Sequence, residues 1–173
     1  MLALPREGRL YVWDQSGGTG NRAVVVSTAP SVSNFMFVSQ QDRHVICLGT
    51  HGVASGFDPM LVRWSDQNDY TNWNVNVSST SGENQLGDGS ELITGLNTRN
   101  QSLIWTDNAV HAMEFVGPPF IFNFRQLGSN CGIAGQHAAI ELDGRVFWMG
   151  AKDFFVYDGA VKALPCTVRR YVY

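Results

Sequence analysis

The stretch QHAAIELDGRVFWMG, Gln136 to Gly150, decides how the chain is read. Asp143-Gly144 is a two-residue turn signal, because both central positions of the matching tight turn need positive φ. On either side stand short apolar runs rich in residues that favour strands. The stretch therefore predicts a β-hairpin.

Two other stretches follow the same plan: NFMFVSQQDRHVICLG, Asn34 to Gly49, and ELITGLNTRNQSLIWTD, Glu91 to Asp107. Each is a strand-like run, a polar turn and a second run. A further apolar run follows each pair, at Met60 to Trp64, Val110 to Val116 and Phe154 to Gly159. Setting the second strands side by side makes Cys47, Trp105 and Trp148 equivalent, with a period of roughly 40 to 60 residues, the length of one β-propeller blade. HVICL, SLIW and RVFWM read as continuous apolar runs, which fits strands covered on both faces.

The expected fold is one all-β domain over residues 1–173, built of β-propeller-like repeated antiparallel meanders. Its blade-like units span about 34–80, 91–128 and 136–173, after a partial unit over 1–30. A two-sheet sandwich or an irregular barrel uses similar strands and stands as the alternative architecture. Three units and a fragment make an incomplete propeller or part of a longer chain. The closing VRRYVY reads as a strand in progress.

Composition agrees. Of 173 residues, 44% are hydrophobic and 16% charged, so the chain buries a sizeable core. Net charge is −3 and pI about 5.7, and only Lys152 and Lys162 among the twelve basic residues are lysines. Such a chain does not grip nucleic acid through a continuous basic face. Cys47, Cys131 and Cys166 are odd in number and widely spaced, predicting reduced thiols and no disulfide framework. No apolar run reaches the length of a membrane helix or a signal peptide, so no membrane segment is expected and synthesis is placed in the cytoplasm.

The polar stretches hold the residue types suited to chemistry. In LVRWSDQNDYTNWNV, Leu61 to Val75, the oxygens of Asp66, Asn68, Asp69 and Asn72 suit a hard cation. The spacing lacks the glycine and terminal glutamate of a calcium loop, and Asx turns explain it better. Trp64 ends an apolar run and belongs with Trp105 and Trp148 as a core aromatic. Trp73, with Tyr70, is expected to be exposed as a partner contact, since Trp and Tyr dominate interface hot spots.

Gly17 to Arg22 lacks the spacing of a phosphate loop and reads as a hairpin tip before a strand at Val24 to Thr28. Ser81 to Ser90 reads as a turn-rich loop. His44, His51, His111 and His137 form no metal-ligand pattern, and no nucleophile elbow is present. No catalytic residue, cofactor or metal is assigned, and no enzymatic activity is expected.

DPMLVRWSDQNDYTNW, from Asp58, and FRQLGSNCGIAGQHAAIELDGRVFWMGAKDFFVYDGAVKALPC, from Phe124, resemble segments of tailed-bacteriophage structural proteins. The group is the β-propeller proteins of the tail nozzle, or those that stabilise packaged DNA below the portal. The R-W-S-D followed by a second Trp, and the W-M-x-x-x-x-F-F-V-Y-D-G run leading to L-P-C, carry the likeness from about Asp58 onward.

The resemblance implies a virion component of the tail or neck, present in several copies in a ring around the DNA channel. Neighbouring tail, portal or adaptor proteins would be its partners. It would contribute to genome retention and ejection, with DNA passing unbound. Members of the group are several times longer than this chain. The alternative function is a carbohydrate-binding propeller adhesin of a phage tail, suggested by Tyr70, Trp73 and the Asn/Asp-rich loop.

Overall fold

The computed structural model describes residues 1–167 and 169–172. Among the described residues the chain is all-β, with its strands in four antiparallel sheets, none of them closed. It divides into two compact units, Met1–Leu86 and Gly87–Tyr173.

In the first unit, β1 (Leu2–Ala3), β2 (Tyr11–Val12) and β3 (Val24–Val25) form a small first sheet. The Gly-rich segment linking β2 to β3 begins with a 3-10 turn, Gln15–Gly17, whose preceding Asp14 accepts a hydrogen bond from the Ser16 N–H at 2.9 Å. The strand expected over Val24 to Thr28 is thus only two residues long. The second sheet runs β4 (Ser33–Val38), β5 (Val45–His51), β6 (Phe57–Trp64) and β7 (Gly82–Gln85), neighbours in chain order.

The second unit repeats this plan twice. β8 (Leu92–Asn97), β9 (Ser102–Thr106), β10 (Ala109–Gly117) and β11 (Ile121–Ser129) form the third sheet. β12 (Ala139–Leu142), β13 (Arg145–Met149), β14 (Phe154–Tyr157) and β15 (Val161–Leu164) form the fourth. The turn between β12 and β13 has Asp143 at φ 52° and Gly144 at φ 75°, the two positive values its sequence predicts.

Each four-stranded sheet carries a fourth strand that the apolar pattern does not announce. β7, with the sequence GENQ, lies inside the stretch read as a loop. Its ladder with β6 holds it, pairing Gly82 with Trp64 and Glu83 with Arg63. A Cβ at Gly82 would lie 2.5 Å from the Trp64 ring, so the glycine lets strand and indole pack.

The apolar runs are buried unequally. Every residue of β9 and all but the last of β5 are buried, as expected for strands covered on both faces. β13 differs: Val146 and Trp148 are buried while Phe147 and Met149 are half-buried, so RVFWM is enclosed on one face only. That face meets the third sheet in a cluster of Leu103, Trp105, Val110, Ala112, Cys131, Ile133, Val146 and Trp148.

The C-terminal expectation also changes. Arg169–Val172 forms one helical turn, α1, where the sequence predicts a strand. The β preference of Val and Tyr is realised only within a ladder, and no strand among the described residues pairs with this segment. Val168 and Tyr173 lie outside the described residues. No helix among the described residues is long and apolar enough to cross a membrane.

Candidate functional site

The connection from β6 to β7 is a polar loop folded on its own side chains. Asp66 is its hub, accepting hydrogen bonds from Gln67 N–H at 2.9 Å, Thr80 N–H at 2.8 Å, Asn72 Nδ2 at 2.9 Å and the Thr80 hydroxyl. Partial burial pushes the Asp66 carboxyl up, but the bonds from Thr80, Gln67 and Asn72 outweigh it and hold it below its ordinary value. Asp69 accepts from Thr71 N–H at 2.8 Å, and Asn76 from Ser78 N–H at 2.9 Å. These are Asx turns, and they occupy the oxygens that a cation would need. No group of three or more potential ligands gathers among the described residues.

Trp73 overturns the expectation of an exposed contact. It is 1% exposed and packs with Leu10, Val26, Val45 and Cys47 in the core of the first unit. Its indole N–H donates to the Tyr70 carbonyl at 2.7 Å, and its own carbonyl accepts from Arg63 Nη2 at 3.2 Å. The Asx turns reverse the chain so that the largest apolar side chain of the loop points inward, where burial gains most. Tyr70, beside it, is 38% exposed.

Arg63 clamps this arrangement from β6. It donates through Nη1 to the His51 carbonyl at 3.1 Å, and its Nε stands 3.8 Å from Glu83. Burial draws its guanidinium below the ordinary value against the opposing pull of Glu83. Cys47, its cross-strand neighbour, is buried with a thiol pushed up to about 12 by that burial. Cys47, Cys131 and Cys166 are all free.

The other core aromatics lie inside. Trp64 is 5% exposed and donates to the Thr80 carbonyl at 2.8 Å. Trp105 and Trp148 meet edge to face at 5.6 Å between ring centroids, and Trp148 stacks on Phe155 at 5.5 Å. Trp148 donates to the Cys131 carbonyl at 2.8 Å, whereas the buried Trp105 N–H has no acceptor among the described residues.

One constellation is only half visible in the sequence. His44, fully buried, places Nδ1 2.8 Å from Asp42 and Nε2 3.1 Å from the Thr80 hydroxyl, and Asp42 also accepts from the Ser39 hydroxyl. A carboxylate, an imidazole and a hydroxyl in line suggest nucleophilic catalysis. Here the hydroxyl donates to Asp66 and accepts from the Gln67 N–H, so its oxygen is enclosed by partners. The row ties the β4–β5 turn to the β6–β7 loop. Asp42 and His44 give a D-x-H signal, but their partner lies 36 residues on, which no local motif reveals.

In the second unit, Asp88 accepts from Asn108, Gln126 and Ser129. The bonds from Ser129 and Asn108 lead in lowering its carboxyl below the ordinary value. A cleft of about 240 Å³ is lined by Asp107, Asn130, Lys152, Asp153 and Phe155, among others. Asp107 is already engaged, accepting from Ser90 N–H at 2.7 Å and the Ser90 hydroxyl at 2.6 Å. No protein-family model matches the chain, and no curated relative matches it.

Proposed function

We propose that the chain is a structural component of a tailed-phage virion, contributing blade-like sheets to a β-propeller at the tail nozzle or neck. Several copies would ring the DNA channel and contribute to genome retention and ejection. The observation that carries this reading is the repeat: three four-stranded meanders, each ordered as the chain runs, the last leaving an apolar face open. Ile140 is 64% exposed and Leu142 is 59% exposed on β12. The ladder sets Ile140 beside Phe147 and Val156, and Met149 beside Phe154 and Leu164, all on one face of the fourth sheet.

A blade with two apolar faces is stable only between neighbours. Another copy, or a neighbouring virion protein, would supply that cover. The net charge of −3 suits a wall that DNA passes without being held. Tyr70 remains a candidate contact for a neighbour. The adhesin reading loses its principal aromatic with the burial of Trp73, and no other observation favours it.

Electron microscopy of purified virions, with the chain located by a specific antibody, tests the proposal. Density in a ring at the tail or neck is expected; absence of the chain from mature particles would end it.

A further inference from the structure

We propose that the end of the β10–β11 hairpin is a wedge that enters the interface of an electrically neutral lipid bilayer. The hairpin outruns its sheet. β9 pairs with β10 only from Val110 to Met113, while β10 and β11 continue through Glu114–Asn123, Phe115–Phe122 and Gly117–Ile121. The projecting end carries Phe115 at 37% exposure, Val116 at 51% and Phe120 at 78%, with Pro118 and Pro119 also exposed. From Phe115 through Phe124 no residue is charged.

The end is braced for projection. Phe115 and Phe122 meet edge to face at 5.7 Å, and the Phe122 N–H closes the turn on the Phe120 carbonyl at 2.7 Å. Ile121 is held at φ 58°, a conformation that a β-branched residue rarely adopts, with its side chain 8% exposed. Its neighbour Phe120 is thereby left outside.

Lipid fits this end better than a protein surface does. The exposed apolar groups occupy a flank at Phe115, an irregular position at Val116 and the turn itself, so they surround the tip rather than make one flat face. A protein would need a socket shaped to it, and one hairpin end falls well short of the roughly 800 Å² per partner of a stable interface. A bilayer needs no complementary shape, and its attraction scales with the apolar area buried. With no basic residue on the tip and a net charge of −3, anionic headgroups are not selected. Turn carbonyls keep the wedge shallow, in the hydrated headgroup layer.

This inference does not rest on the virion reading. The full chain is mixed with phosphatidylcholine vesicles and floated through a density gradient. Wild type should float in about 0.1 M and about 1 M salt alike, because charge does not drive it. A Val116→Asp/Phe120→Asp double variant should bind about tenfold more weakly or less. Its unchanged melting temperature would show that it is folded. In a Phe120→Trp variant, tryptophan emission should gain a component quenched by brominated lipid. A wild type that stays with the soluble fraction, or a double variant that floats equally well, overturns the proposal. So does a tip variant that alters self-association when the wild type shows no flotation, since that marks a protein contact.

Discussion

Replacing Trp73 with Ala removes an indole packed against Leu10, Val26, Val45 and Cys47 and leaves one polar partner, the Tyr70 carbonyl, unmatched. A buried Trp cut to Ala costs about 3–5 kcal/mol, while a change at an exposed side chain stays within about 0.5 kcal/mol. Chemical denaturation should therefore show a large loss for Trp73→Ala and almost none for Tyr70→Ala; equal midpoints would contradict the placement of Trp73.

Asp66 gives the second expectation at this scale. Its carboxyl sits below the ordinary value of 3.8 when folded, so it adds stability that is complete above that value and is lost as pH falls through the folded one. Asp66→Asn should flatten the pH dependence of unfolding below about pH 4. A variant with an acid limb as steep as wild type would show that Asp66 contributes nothing to it. Of these two residues, the sequence makes the Asx chemistry of Asp66 readable, because its partners Gln67 and Asn72 are local. The inward turn of Trp73 is not readable, because Leu10 and Val26 lie more than forty residues away.

At the scale of the element, hairpins announce themselves when turn chemistry and flanking residues agree, as at Asp143-Gly144. The fourth strand of the second sheet does not. β7 has neither apolar alternation nor β-branched residues, and its register comes from Trp64 seated over Gly82. Gly82→Ala should therefore lower stability by about 1–3 kcal/mol through overpacking. A Gly82→Ala/Trp64→Phe double variant should recover part of that loss, because the smaller ring yields the space. If the two changes were simply additive, the glycine would matter for its backbone alone. The same dependence on pairing explains α1: VRRYVY has strand-like residues, but strand propensity needs a ladder to act on.

At the scale of the whole molecule, the repeat is legible from three hairpins of like pattern, but the cover on each sheet is not. HVICL and RVFWM look alike as apolar runs, yet β5 is buried on both faces and β13 on one. What differs is the cover supplied from outside the strand, which leaves no mark in its own residues. The open face of β12–β15 should then drive association through Ile140 and Leu142, both more than half exposed. A four-stranded patch of four- and five-residue strands is small beside a stable interface, so association should be weak in dilute solution and rise with concentration. Sedimentation velocity should show wild type shifting to larger species as concentration rises, while Ile140→Asp/Leu142→Asp remains monomeric with its melting temperature preserved. A wild type that stays monomeric at every concentration would mean that this face is not covered by another copy, and the ring would then need a different surface to hold it together.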